Sequence, residues 1–341
     1  MPHAPPRRAA PAARRRGALG ERGGGARQPP ARPRGQGRRL GRRSGVLSRG
    51  GAPPRRGALP ARGPRLPPRL LRLGGAVGQL VGGVWRGADQ LLHTAEGRYE
   101  RTASVLIGQL DDAPLLERRR YALFASRACP WAHRVLLTRA LCGLEARLPL
   151  VEVNPELGEE GWALGPGQSP LGDGAAWVHA LYTRSCPHYT GRVTLPLLWD
   201  EERGVAVSND SAEMMRFLQR SAAALPGEAC ATDLRPPALL AELSALCAWL
   251  QSDVNNTPYR AGFAQTQALY EEAVFALFDS LDALEHRLAA RRFLCGEVFT
   301  EADVRLFPTL VRFDVAYYAH FKCNLRRLAE YPHISRYLRD V

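Results

Sequence analysis

The sequence has almost no lysine. Lys322 stands alone among 47 basic residues, so its positive charge is arginine nearly throughout, a bias that fits a GC-rich coding sequence. Acids are equally scarce at one end. Residues 1–75 hold 20 arginines and Glu21 as their one acid, hence a charge of +19. The whole chain of 341 residues carries +14, which leaves −5 for the remainder. A basic body that binds nucleic acid is therefore not expected, because the part able to fold is mildly acidic. No run of about 18 uncharged apolar residues is present, so no membrane span is expected. The start is Arg/Pro-rich and lacks the apolar core of a secretory signal. Cys129, Cys142, Cys186, Cys230, Cys247, Cys295 and Cys323 are odd in number and lack framework spacing, which suits a reducing compartment. No Cys/His pair has zinc-type spacing, so no metal is expected; His179, Cys186 and His188 come nearest to a cluster.

What is present falls into four stretches. Residues 1–75 form an Arg/Gly/Pro-rich tail that cannot bury enough apolar surface to offset its ordering entropy, and are expected to be disordered. Three readings of the tail stay open: a translation start placed too early, an organelle transit peptide, or a nucleic-acid or membrane-binding arm. The transit reading has arginine and few acids in its favour but only Ser44 and Ser48 as serines. Residues 76–117 read as an extended arm, residues 118–228 as a β/α domain, and residues 236–341 as an all-helical one.

In the β/α stretch, "RRYALFAS" reads as a strand and "PWAHRVLLTRALCGLE" as a helix stopped by Gly143. Trp131, Val135, Leu136, Ala140 and Leu141 are its expected apolar face. "RLPLVEV", "RVTLPLLWD" and "GVAVS" follow as strands, and "NDSAEMMRFLQRS" as a helix. Residues 156–190 read as a long Gly/Pro-punctuated loop. The order β-α-β, β-β-α is that of a thioredoxin-like sheet. Beyond Pro237 helical period runs through 238–254, 265–290, 300–320 and 324–340. Thr300 and Asp303 form an N-cap with an Asp variant of the capping box, and Phe299 and Val304 a candidate staple.

The chemistry centres on Cys129, where strand gives way to helix. Unpaired N–H groups and the positive end of the helix dipole favour thiolate there, and Pro130 suits the first helical turn. His133 and Arg134 add polar or positive character nearby. A buried structural cysteine is the alternative, and is the better reading for Cys142, Cys247 and Cys295. Ala132 occupies the last position of C-x-x-C, so no disulfide forms within the motif. A mixed disulfide must therefore involve an outside thiol, with glutathione the obvious one, and a second outside thiol must resolve it. Pro196 lies where such folds place a cis-proline beside the active cysteine, or else is an edge-strand proline. Asp210 and Ser211 open a helix whose N–H groups suit a ligand carboxylate, with the Asp210 side chain suited to an ammonium group; simple N-capping is the alternative.

Taken together, "SRACPWAHR", "GRVTLPLLWD", "VSNDSAE", "NNTPYRAGFAQTQ", "TEADVRLFPTLVRFD" and "HFKCNLRRL" resemble the glutathionyl-hydroquinone reductases, the Xi class of glutathione transferases. Six motifs in one order cover the chain from about residue 77 onward. The resemblance implies a glutathione-transferase fold: an N-terminal thioredoxin-like α/β domain and a C-terminal all-α domain, in a homodimer. It implies Cys129 as the catalytic cysteine, Tyr259 as proton donor, and Tyr317, with Tyr318 beside it, as the group keeping the thiol acidic. It implies glutathione held by Trp162, by the run Arg192, Val193, Thr194, Leu195 up to Pro196, and by Asp210 and Ser211, where the family more often has Glu-Ser. The family pattern also continues beyond Val341 into a further active-site tyrosine, whose absence is expected to weaken activity. The basic tail is not part of the pattern.

The expected activity is removal of glutathione from glutathionyl-hydroquinones, with glutathione as co-substrate and no metal. A cytoplasmic location is expected, or an organelle if the tail is a transit peptide. The alternatives are an omega-like glutathione transferase or dehydroascorbate reductase using the same cysteine, and a non-enzymatic redox or ligand-binding protein.

Overall fold

A computed structural model describes residues 78–87, 96–101, 104, 110, 121–225 and 232–341. The basic tail, most of the expected arm and Cys230 lie outside the described residues.

The first layer is a four-stranded mixed sheet. β3 (Tyr121–Ala125) pairs parallel with β4 (Leu150–Glu152) and antiparallel with β7 (Leu197–Asp200), and β7 pairs antiparallel with β8 (Val205–Ser208). All five residues of β3 and all four of β7 are buried. That explains their unbroken apolar composition, since a strand covered on both faces shows no alternation. The preceding hairpin, β1 (Gln79–Val81) with β2 (Val84–Arg86), docks through reciprocal backbone bonds of 2.9 Å between Leu80 and Gly191.

Helix α1 (Pro130–Leu141) follows β3 directly, with Cys129 as its extended N-cap and Pro130 at its first position. Gly143 ends it at φ +64°, a conformation in which a side chain would be strained. The buried face is Trp131, Ala132, Arg134, Val135 and Thr138, which differs from the expected one. Ala140 is exposed, and Leu136 and Leu141 are half-buried. The difference arises because α1 is covered by both α3 (Ser211–Ala223) and α7 (Glu301–Arg312), so the buried stripe is set by two neighbours.

Residues 156–190 are not one loop. They contain the short hairpin β5 (Leu157–Gly158) and β6 (Gly161–Trp162), and helix α2 (Val178–Ser185). Glycine and proline punctuate the ends of these pieces and concealed them. In "RVTLPLLWD" only Leu197–Asp200 joins the sheet; the Leu195–Pro196 peptide before it is cis.

The second layer is helical. α4 (Leu240–Trp249) continues through a π-helical segment, Leu250–Asn255, into α5 (Thr257–Gly262), a helix the sequence pattern missed. α6 (Gln267–Ala289) is the central helix. It buries Tyr270, Leu277, Phe278, Leu281 and Leu284 at helical spacing. α7 passes through a second π-helical segment, Phe313–Tyr317, into the single turn α8 (Tyr318–His320). The expected helix over 324–340 forms only as α9 (Pro332–Asp340), preceded by a 3-10 turn at Leu328–Glu330. Pro332 suits the first position of a helix, and so marks its start.

Two apolar cores result. One surrounds the sheet and includes Phe124, Trp199 and Phe217; the other surrounds α6. Val304 on α7 belongs to the first core although it lies in the helical half. Asp303, beside it, accepts from the backbone N–H of Thr300 (2.8 Å) and Leu294 (2.9 Å) and from the Tyr337 hydroxyl (3.1 Å). The expected capping box is thus a three-way tie among α7, the preceding turn and α9. Glu301 is fully buried between the guanidinium groups of Arg235 and Arg305.

Candidate active site

The Cys129 side chain is 8% exposed. Its Sγ donates to the carbonyl oxygen of Leu195 at 3.3 Å, so the thiol faces the chain just before the cis-proline. Burial pushes this thiol above its ordinary value of 9.0. The N–H groups of Ala132 and Trp131 and the guanidinium groups of Arg101 and Arg312 pull the other way without winning. The helix start therefore acts in the expected direction but is outweighed by desolvation. His133 does not contribute positive charge. Its pKa is held down to about 4 by burial and by Arg312 and Arg127, and its Nδ1 lies 2.9 Å from Arg312 Nη1. The neutral imidazole accepts from Arg312.

Tyr259, with Tyr317 bonded to it, packs near Trp131. Their hydroxyls are 3.1 Å apart, and the Tyr259 ring centroid is 6.2 Å from that of Trp131. Phe263 and Phe321 complete the aromatic cluster, with centroids 6.2 Å and 5.3 Å from Tyr259. Burial, and then the neighbouring Tyr317, holds Tyr259 well above 10.0; burial pushes Tyr317 up to about 12. Both are neutral phenols at pH 7, able to donate a proton and unfit to act as bases. The structure also separates the two adjacent tyrosines. Tyr317 is 2% exposed and bonded to Tyr259, whereas Tyr318 packs under Arg327. The Tyr317 hydroxyl meets Tyr259 and not the sulfur.

A cleft of about 280 Å³ is lined in part by Trp131, Arg134, Leu195, Asp210, Ser211 and Arg101; Cys129 does not line it but reaches it through Leu195, the acceptor of its thiol. Asp210 caps α3: its Oδ1 accepts from the N–H groups of Ala212 and Glu213, both at 2.8 Å. Leu195, Asp210 and Ser211 are thus brought together. Pro196 is buried and does not line the cleft, and Val193 is buried in the sheet core. Thr194 is held through its backbone by Tyr182, whose hydroxyl donates to the Thr194 carbonyl (2.7 Å) and accepts from its N–H (3.2 Å). Trp162 sits on β6, half-buried against the first core, and Arg192 donates to the Tyr99 hydroxyl at 2.9 Å. Neither lines this cleft. Of the nearest thing to a metal cluster, His179 instead stacks on Trp85 at 4.9 Å.

Sequence reasoning missed the arm's contribution. Residues 96–101 contact both halves: Arg98 pairs with Glu272 (2.7 Å), Tyr99 receives Arg192, and the Arg101 guanidinium lies 3.9 Å from the Trp131 ring centroid. Polar residues in an extended segment carry no periodicity that would have pointed to this.

Two family models match, the glutathione S-transferase N-terminal domain over residues 128–221 and the C-terminal domain over residues 267–340. Glutathionyl-hydroquinone reductase PcpF of Sphingobium chlorophenolicum is 46% identical over 266 residues, covering 76% of this chain and 83% of the relative. The chain belongs to the glutathionyl-hydroquinone reductase family, within the glutathione transferases. A second reductase of that name, YqjG of Escherichia coli, is 41% identical over 281 residues, covering 78% of this chain and 84% of the relative. The glutathione-bound structure of YqjG superposes with a TM-score of 0.64 at 40% identity, over 77% of this chain and 83% of that one. The Xi glutathione transferase of Phanerochaete chrysosporium gives 0.66 at 40% identity, over 71% of this chain and 84% of that one.

Proposed function

We propose that this protein removes glutathione from glutathionyl-hydroquinones by thiolate attack from Cys129. The observation that carries the reading is the placement of a lone cysteine at a helix start beside a pair of protonated, mutually bonded phenols. That pairing suits cleavage of a sulfur–carbon bond. A thiolate attacks sulfur readily, and the carbon leaving group needs a proton at once.

In the first step the Cys129 thiolate attacks the sulfur of the conjugate and forms an S–S bond. The S–C(aryl) bond breaks, its electron pair passes to the ring carbon, and Tyr259 protonates that carbon. The hydroquinone leaves, and Cys129 remains as a mixed disulfide with glutathione. In the second step the thiolate of another glutathione attacks the glutathione sulfur, giving glutathione disulfide and free Cys129. Leu195 offers its backbone to the peptide-like part of the ligand, and Asp210 and Ser211 hold its charged end. Trp162 and Arg192 belong to the proposed glutathione site through the family resemblance; closure of their segments onto the ligand would bring them in. The homodimer and the cytoplasmic location are part of the same reading. The six described cysteines are all free, as a glutathione-rich compartment favours.

The test is mass spectrometry after incubation with a glutathionyl-hydroquinone, which should find one glutathione on Cys129. Cys129→Ser should release no hydroquinone, and the wild type should conjugate aryl halides only at background. Strong aryl-halide conjugation, or an active Cys129→Ser variant, would sink the assignment. Efficient dehydroascorbate reduction without hydroquinone release would favour the omega-like alternative. Sedimentation as a single monomer at micromolar concentration would remove the dimer.

A further inference from the structure

Arg134 is a guanidinium in an unusual position. It is 1% exposed, and its Nε has no hydrogen-bond partner. Nη1 and Nη2 reach only neutral acceptors at long range, Gln251 Oε1 at 3.3 Å and the Arg305 carbonyl at 3.4 Å. Burial, with Arg305 and Arg101 adding to it, pushes the group down to about 9, so at neutral pH it is still charged. A buried charge without a counter-ion is costly. Arg305, its neighbour, is by contrast paired with Glu301.

The same cleft holds the opposite kind of vacancy in its hydrogen bonding. Asn209 is 6% exposed, and its amide nitrogen donates to the Tyr182 hydroxyl (3.2 Å) and to Thr194 Oγ1 (3.3 Å). Its Oδ1 accepts from nothing. Next to it, Asp210 uses Oδ1 to cap α3. Arg101, Arg134, Asn209 and Asp210 all line the cleft. Arg101 and Arg134 both lie against the Trp131 ring, with guanidinium carbons 3.9 Å and 4.6 Å from its centroid. The cleft thus combines three guanidinium groups, those of Arg101, Arg134 and Arg305, with the one carboxylate of Asp210; Arg305 is paired with Glu301, which leaves Arg101 and Arg134 against Asp210, an excess of positive charge.

Glutathione carries two carboxylates and one ammonium group at neutral pH, a net of one negative charge. The ammonium and one carboxylate share a carbon at its γ-glutamyl end. We propose that Arg134 binds this α-carboxylate, opposite Ser211, while Asn209 Oδ1 and Asp210 together take the α-ammonium. The inference rests on the glutathione reading above and specifies which residues read the zwitterion. It explains why a buried arginine is tolerated on α1: the ligand's carboxylate is its counter-ion. Arg101 then closes the cleft from the arm side, across Trp131.

The test uses S-methylglutathione, which cannot react with Cys129, and its analogue with γ-aminobutyrate in place of the γ-glutamyl group, which lacks only the α-carboxylate. Affinities are measured by calorimetry for the wild type, Arg134→Met and Arg134→Lys. A charge-assisted contact predicts that the wild type prefers S-methylglutathione by roughly 10- to 100-fold. Arg134→Met should bring that ratio close to one, and Arg134→Lys should leave it in between. An unchanged ratio in Arg134→Met overturns the assignment, as does a ratio near one in the wild type. So does a variant that changes only the pH profile of Cys129 alkylation, because Arg134 would then serve the thiolate and not the ligand. Should Arg134→Met fail to unfold cooperatively, Arg134→Lys is read in the same way, and an unchanged ratio there overturns the proposal. Absence of any binding of S-methylglutathione to the wild type removes the glutathione reading itself, a different result from binding without discrimination.

Discussion

The hydroxyl of Tyr259 lies 3.1 Å from that of Tyr317, and this bond joins the helix that follows one π-helical segment to the end of the other. Widened turns of this kind recur at functional sites, because the extra residue re-aims the side chains that follow. Here they bring two phenols, 58 residues apart, to one point beside Trp131. Either hydroxyl can donate in the pair, so a proton given up by Tyr259 can be replaced from Tyr317.

Tyr259→Phe should therefore slow release of hydroquinone by about 10²- to 10⁴-fold, the usual worth of a positioned general acid. The same variant should still form the mixed disulfide when Cys129 meets glutathione disulfide, since that step expels sulfur and needs no carbon protonation. Single-turnover kinetics with both substrates measures the difference. Equal slowing of the two reactions would mean that Tyr259 supports the thiol and not the leaving group.

Arg101 and Arg312 both favour the Cys129 thiolate. Removing either cation disfavours the charged form, so Arg101→Met and Arg312→Met should each move the iodoacetamide alkylation profile of Cys129 to higher pH. Because burial holds the wild-type thiol above 9.0, its alkylation rate should still be climbing as pH passes that value. A plateau below pH 7, or variants that alkylate faster than the wild type at pH 7, would contradict this account.

Gly262 leaves room for one ring. A Cβ there would lie 2.0 Å from Cδ1 of Phe321, which packs edge-on against both Tyr259 and Tyr317. Gly262→Ala should push Phe321 into the tyrosine pair. The expected cost is about 1–3 kcal/mol of stability, typical of overpacking, together with a lower kcat. Denaturant unfolding and steady-state assays on one preparation test both halves. Unchanged stability and turnover would show that Phe321 moves aside freely.

Glu301→Gln should destabilise the fold by about 3–5 kcal/mol at pH 7, because it leaves Arg235 and Arg305 facing a neutral group in a buried site. Burial works to raise the Glu301 pKa, but Arg305 and Arg235 more than offset it, and the folded value lies below 4.5. A carboxylate with a depressed folded pKa contributes stability that is present above its unfolded value and lost as pH falls through the folded one. The gap between wild type and variant in urea unfolding should thus be full above about pH 4.5 and shrink below it. A gap that widens on acidification would rule out the ion pair as its source.

The strand–cysteine–helix junction was legible in the sequence because its signals are local. β-rich residues end at Cys129, Pro130 opens a helix, and Gly143 closes it, each acting through its own backbone preference. The same holds for the α3 cap at Asp210 and the α7 cap at Thr300 and Asp303. The π-helical turns, the short helix at Thr257–Gly262 and the helix inside residues 156–190 were not legible, since each depends on packing that overrides local punctuation. Helix α9 begins eight residues later than its apolar period suggested, at Pro332, where backbone geometry decides.

The sequence by itself determined that a lone thiol sits at a helix start without a partner two residues on, and six ordered motifs marked the family. Only the tertiary structure decided the charge environment of that thiol. Burial raises it, His133 is neutral, and the cations that favour the thiolate come from the arm at Arg101 and from α7 at Arg312. It also decided that Arg134, which spacing made look like one more polar residue of α1, is buried without a counter-ion in the cleft. The physical reason is range. Capping and helix termination are settled within a few residues, whereas desolvation and Coulomb interaction depend on which distant segments the fold brings within a few ångströms.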